Sequence, residues 1–305
     1  MSTTESAHPV DATHPVDAAH PVDAIAPVGV VAPADAVDPV ETGHAPTGAD
    51  HAAAGPGLAA LSARRFAAVL FDLDGTLIDS TDAVERSWQR WAAERGIARS
   101  SFTISHGVPA RQVLARFLPP DEVAAAFTRI EEIEVAQVDG IVVLPGAAQA
   151  LAALPSGRAA IVTSGTPPLV RARLAATGLR PPPVLVTADD VAVGKPDPAP
   201  YLLAARRLGV DPGDCLVVED APAGVAAGRA AGCATLAVLT THLPAELPAD
   251  AAIGSLDRIR FVADPDGDGV RLVVDGEGNG SGDGGPDPAR PSGARLAGPG
   301  AGDAR

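Results

Sequence analysis

Two carboxylates stand at i and i+2 where an apolar run ends. The stretch is "AVLFDLDGTLIDS", residues 68–80, and the acids are Asp72 and Asp74. Carboxylates resist burial unless something neutralises them. Residues two apart on a strand point to the same side, and Gly75 lets the backbone turn sharply beside a ligand. Mg²⁺ would answer the charge: it takes few protein carboxylates and shares its remaining positions with water and phosphate. Read alone, D-x-D-G is also an ordinary strand-end turn.

Three further clusters supply what a phosphate site needs. "GKPDP" at 194–198 holds Lys195 between Gly194 and Pro196, a point charge for a phosphate. "VVEDA" at 217–221 places Glu219 and Asp220 at the end of another apolar run. "IVTSGT" at 161–166 places the hydroxyls of Thr163 and Ser164 at a third. Singly, these read equally as a surface lysine and two helix caps. Four strand-end or loop clusters in one chain point together to phosphate chemistry.

The elements that must position them alternate. Short apolar runs occur at 67–72, 159–164, 184–187, 215–220 and 234–239, with helical stretches at 168–177, 198–208 and 222–231. This pattern predicts βαβ units, hence an α/β fold: a Rossmann-like, doubly wound parallel sheet covered on both faces. Ligands of such sheets bind beyond the carboxyl ends of the strands. The long interval after the first run reads as helical. Val84, Trp88 and Trp91 share one helix face, closed by Gly96, and the two tryptophans read as core. The expected domains are a core of 64–80 and 147–262 with an inserted helical domain at 81–146.

Around these lie two unlike ends. The 305 residues carry a net charge of −15, of which 1–63 hold −8 and 264–305 hold −4, leaving −3 for the middle. The acidity thus says little about the folded part, and there is no basic stripe for nucleic acid. Residues 8–24 repeat HPVDA three times at a six-residue period. Such proline-interrupted, low-complexity sequence is expected to be disordered over 1–63, as is the Gly/Pro-rich 276–305. Between them, 263–275 is expected to add a hairpin strand. "DPDGDG" at 264–269 imitates the start of a calcium loop, but it runs straight into "VRLVV" and reads better as the hairpin turn. Cys215 and Cys233 read as core thiols. No run reaches membrane-spanning length and no signal peptide is visible, so a cytoplasmic protein is expected.

FDLDGT, IVTSGT, GKPDP and VVEDA, in that order, resemble the four motifs of the haloacid dehalogenase superfamily. The likeness covers about 66–262 and extends to the insertion, which sits where the superfamily places its helical cap. Within the superfamily the chain is most similar to sugar- and polyol-phosphate phosphatases, including hexitol, glycerol-phosphate and 2-deoxyglucose-6-phosphate phosphatases. The resemblance implies that Asp72 is a nucleophile forming an aspartyl-phosphate and that Asp74 is the acid and base. It implies that Lys195 and Thr163, with Ser164, hold the phosphoryl oxygens. Mg²⁺ would be bound by Asp72, the backbone carbonyl of Asp74, Asp220 and, directly or through water, Glu219.

The implied activity is hydrolysis of a small sugar or polyol phosphate, with hexose or hexitol phosphate foremost and a monomer or weak homo-oligomer as the working unit. Two alternatives stand beside it. One is a phosphosugar mutase of the β-phosphoglucomutase type. Such mutases carry a cap histidine twelve residues past the nucleophile, where this chain has Val84, and a basic residue where it has Ser164-Gly165-Thr166. The other is a non-catalytic interaction protein, for which the four motifs would have no use. In the cap, His106, Arg111, Glu131 and Glu134 are the polar candidates for substrate choice. Glu131 and Glu134 lie one helical turn apart.

Overall fold

The computed structural model describes residues 56–98, 107–266 and 268–274. The HPVDA repeat, His106 and the segment from 276 onward lie outside the described residues. In chain order, α1 (Pro56–Ser62), β1 (Arg65–Phe66), β2 (Ala68–Phe71) and β3 (Ile78–Asp79) precede the helices α2 (Thr81–Glu94), α3 (Ala110–Leu114) and α4 (Pro120–Ala136). Then come β4 (Val142–Val143), α5 (Ala147–Ala152), β5 (Ala159–Val162), α6 (Pro167–Thr177), β6 (Val184–Val186) and α7 (Ala199–Leu208). The remainder is β7 (Cys215–Glu219), α8 (Pro222–Ala230), β8 (Ala234–Val238), β9 (Ala251–Ile253), β10 (Ile259–Ala263) and β11 (Val270–Val274).

Six strands form the central sheet in the order β6-β5-β2-β7-β8-β9, and every neighbouring pair is parallel. This is the doubly wound α/β architecture that the alternating runs predict. Alternation along each strand builds two cores. Val69 and Phe71 of β2 join Ile161, Leu216 and Val218 on one face. Ala68 and Leu70 join Val162, Cys215 and Val217 on the other, under Tyr201 and Ala204 of α7. The chain leaves β2 for β5 on one side and returns to β7 on the other, so β2 marks the switch point of the sheet. Ligands collect at such a point. The sixth strand, β9, escapes sequence reading because three residues, Ala251 to Ile253, are too few to show a period.

The insertion is helical. In α2, Trp91 is fully buried against α4 and donates from Nε1 to the carbonyl of Ala126 at 3.2 Å. Trp88 and Trp91 meet edge to face with Leu114 and Ile130 beside them. The two chain crossings between sheet and insertion lie side by side, because β3 and β4 pair antiparallel through Ile78↔Val143 and Asp79↔Val142.

At the other end, β10 and β11 form an antiparallel hairpin, and β1 adds a third strand through Phe66↔Val270. The three aspartates of its turn are tied to arginines. Asp264 accepts from Arg65 and from Arg271, Asp266 from Arg65, and Asp268 from Arg158. One expectation needs correction. Residues 56–62, placed with the disordered tail, form α1, whose Leu58 and Leu61 are buried against β9 and β11. The two leucines are one helical turn apart, and their burial outweighs the helix-poor composition around them.

Candidate active site

Asp72 directly follows β2. Leu70, two residues earlier, lies on the α7 face of the sheet, and Asp72 continues that face. On the neighbouring strand Val217 and Glu219 do the same, since Leu70 pairs with Val217 and Phe71 with Val218. The two carboxylates are therefore brought together by register. Lys195, only 1% exposed, reaches between them. Its Nζ donates to Asp72 Oδ1 at 2.5 Å, to Glu219 Oε1 at 2.6 Å and to the carbonyl of Val162 at 2.9 Å.

Glu219 is held at both oxygens. Tyr201 Oη donates to Oε1 at 2.8 Å, and the backbone N–H groups of Asp220 and Ala221 donate to Oε2 at 3.0 and 3.2 Å. A Cβ at position 224 would fall 1.7 Å from this carboxylate, so only glycine fits there. Asp220 accepts from Thr76 Oγ1 at 3.1 Å and from Thr241 Oγ1. Gly75, at φ +85, turns the chain past it, and a Cβ there would lie 2.1 Å from Asp220 Oδ2. The sharp turn and the close approach expected of that glycine are both present.

Asp72, Glu219 and Asp220 each offer an oxygen, all within 4.8 Å of one another, and all three residues are buried. Burial pushes the Asp72 carboxyl well above the usual carboxylate range; Lys195 opposes this while Glu219 and Asp220 add to it. Asp220 is pushed up to about 7, first by burial and then by Glu219. Lys195 is raised despite its burial, because Asp72 and Glu219 hold its proton. One lysine thus pairs with two of the three carboxylates, and ionising all three would leave negative charge in a dry place. A hard divalent cation fits this oxygen donor set and supplies the missing charge.

Asp74 faces elsewhere. Its Oδ1 accepts from Ser80 Oγ at 2.7 Å, and its Oδ2 pairs with Arg173 Nη1 at 2.7 Å. A cavity of about 410 Å³ opens beside Asp72 and Asp74, and Thr163, Ser164, Glu131 and Arg173 are among the residues that line it. Thr163 Oγ1 accepts from the N–H of Gly165 at 3.1 Å, while Ser164 Oγ donates to the carbonyl of Gly107 in the insertion at 2.8 Å. Glu131 is half-buried. Arg111 is exposed, with its guanidinium 4.4 Å from the centroid of the Phe127 ring. Glu134 does not share the open position of Glu131: it is buried, pairs with Arg173, and burial pushes its carboxyl up to about 7.

Three of the motif clusters, with Arg111, Glu131 and Glu134, thus line one cavity, while Glu219 and Asp220 of the fourth are buried beside Asp72. Sequence reading misses Arg173, Tyr201, Thr76 and Thr241. Arg173 has a visible signal: it falls at i+4 from Leu169 and i+3 from Val170, on the apolar face of its helix.

A doubly wound parallel sheet with a buried carboxylate-lysine centre at its switch point defines an α/β enzyme acting on an anionic substrate. Comparison with known proteins narrows the class. Residues 66–232 match the model of the hydrolase family described as haloacid dehalogenase-like hydrolase. The chain belongs to this family, and it is a phosphoric monoester hydrolase. It is 46% identical over 209 residues to hexitol phosphatase A of Escherichia coli, covering 65% of this chain and 95% of that protein. It is 37% identical over 187 residues to glycerol-1-phosphate phosphohydrolase 2 of Saccharomyces cerevisiae, covering 57% and 75%. Among solved structures, CbbY from Rhodobacter sphaeroides in complex with phosphate superimposes with a TM-score of 0.54 at 26% identity, covering 63% of this chain and 95% of that one.

Proposed function

We propose that this protein is a Mg²⁺-dependent phosphatase of small sugar or polyol phosphates, with hexitol or hexose phosphate as the leading class, working in the cytoplasm. The observation that carries the reading is Lys195 buried between Asp72 and Glu219, where Asp72 itself lines the cavity. Lys195 orients the Asp72 carboxylate and offers positive charge to a phosphoryl group. Asp72 Oδ attacks phosphorus, the bond to the ester oxygen breaks, and Asp74 gives that oxygen its proton. Asp74 then takes a proton from the water that cleaves the aspartyl-phosphate. Thr163 and Ser164, at the end of β5, hold phosphoryl oxygens, and such positioning carries most phosphoryl-transfer catalysis. Asp72, Asp220 and the backbone carbonyl of Asp74 would hold Mg²⁺, with Glu219 binding directly or through water. When bound, the ion would neutralise the cluster and the phosphoryl oxygens.

Val84 lines the cavity at the position where a mutase carries its histidine, and it has no proton to transfer. This favours release of phosphate over its return to the sugar. The substrate class rests on the likeness to hexitol and glycerol-phosphate phosphatases. The test is turnover of hexitol, hexose and glycerol phosphates with Mg²⁺ and with chelator, together with mass spectrometry of an acid-quenched reaction. A phosphorylated Asp72 peptide is expected. Its absence while substrate turns over would refute the covalent route.

A further inference from the structure

Arg173 belongs to none of the four motif clusters, yet it joins two regions at the site. It stands on α6, the helix after β5, and is 5% exposed. Nη1 lies 2.7 Å from Asp74 Oδ2, and Nη2 lies 3.4 Å from Glu134 Oε1 on α4 of the insertion. Its Nε is buried without a hydrogen-bond partner. Leaving a donor unpaired is costly, so the two carboxylates are what account for the guanidinium lying where it does. Glu134 is itself fixed, buried beside the Trp88 side chain that donates to it. A planar fork spans two carboxylates in a way that a lysine ammonium does not.

We propose that Arg173 is a positioning residue that ties Asp74 to helix α4, so that the seating of the helical insertion sets the orientation of the acid–base carboxylate. The proposal rests on the reading of Asp74 as proton donor to the leaving oxygen. In that step the Asp72–phosphorus bond forms, the phosphorus–ester oxygen bond breaks, and the proton passes from Asp74 to the ester oxygen. The carboxylate left behind faces Arg173, whose charge opposes the negative charge that develops on it.

The leaving group reports this role. A hexitol oxygen is a poor leaving group and needs the proton; a nitrophenolate leaves without it. Values of kcat/KM for a hexitol phosphate and for a nitrophenyl phosphate, in Mg²⁺, isolate phosphoryl transfer to Asp72. Arg173→Gln should lose roughly tenfold or more on the hexitol phosphate, within the range general acid catalysis supplies, and less than about threefold on the nitrophenyl ester. Arg173→Lys should recover part of the loss, because one charge still reaches Asp74. Glu134→Gln should lose less with the same leaving-group bias, and the double variant should be no worse than Arg173→Gln alone. Equal losses on both esters, or none, would overturn the proposal.

A second measurement separates this outcome from failure of the phosphatase reading. Wild-type protein inert on both esters would count against the function. Hydrogen exchange of Arg173→Gln full-length protein with Mg²⁺ then decides the tie by itself. Faster exchange across 120–136, with β2, β5 and β7 unchanged, is expected. Unchanged exchange in 120–136 would refute it.

Discussion

The floor of the cavity and its helical wall are built differently. On the floor, Glu219 receives four hydrogen bonds, Lys195 makes three, and both are fully enclosed between β2, β7 and α7. On the wall, Glu131 is half-buried and Arg111 lies exposed on Phe127. The floor is pre-organised before substrate arrives, which is what phosphoryl transfer requires. The wall offers side chains on helices joined to the sheet by the short β3–β4 ribbon, and it touches the reacting groups at one point, where Glu134 of α4 meets Arg173.

The contrast can be tested at both parts of the molecule. The largest effect is expected on the floor. Asp72→Asn should abolish turnover while circular dichroism remains that of the wild type, because an amide cannot act as the nucleophile. Appreciable turnover would mean another group attacks phosphorus.

Removal of the metal should come next. Chelator should suppress turnover and Mg²⁺ should restore it. The same cluster predicts a pH signature in stability. Asp72 and Asp220 are raised, Asp220 to about 7, so the folded protein keeps protons that the unfolded chain releases above about pH 4. Their contribution without metal is present at low pH and is lost as pH rises from about 4 through 7. The melting-temperature gain from Mg²⁺ over chelator should therefore grow across that window. A gain that shrinks would argue against these carboxylates as ligands.

On the wall, Glu131→Ala should cost about ten- to a hundredfold in kcat/KM for a sugar phosphate, roughly the worth of one hydrogen bond left unpaired. A nitrophenyl ester, which has no sugar hydroxyls, should lose far less. Equal losses would place Glu131 with the floor.

Away from the cavity, truncation through residue 55 should leave melting temperature unchanged, whereas truncation through 62 should lower it, since Leu58 and Leu61 are buried. Leu61→Ala alone should cost about 2–4 kcal/mol. Thermal denaturation of the two truncations is the check, and equal melting temperatures would mean that α1 adds nothing. The smallest expected effect is that of Tyr201→Phe, which removes one of four donors to Glu219. A fall in kcat of a few-fold is expected, about 1 kcal/mol. No change would mean that Lys195 and the backbone hold Glu219 alone.

Much of the site is legible in the chain because its groups sit where local pattern changes. Asp72, Thr163, Glu219 and Asp220 each end an apolar run, and the end of a buried strand is where a parallel sheet presents polar groups. Gly75 is legible for the same reason, since the turn it makes is local. The helices follow from period, as with Val84, Trp88 and Trp91. What the chain alone determined is therefore the class of fold, the four clusters, and the chemistry of carboxylates, lysine and hydroxyls at strand ends.

Tertiary structure decided the rest, because it depends on which distant elements meet. Tyr201 is the chain's single tyrosine and sits in an ordinary helix; only the packing of α7 over β7 turns its hydroxyl toward Glu219. The short β9, α1 and the pairing of β1 with β11 carry too little local signal and are stabilised by burial against the sheet. Glu131 and Glu134 look alike in sequence, one turn apart on α4. The first faces the cavity half-buried, and the second is buried on Arg173, 39 residues away in the chain. Periodicity shows that they share a side of the helix, but burial and charge pairing are set by what packs against that side.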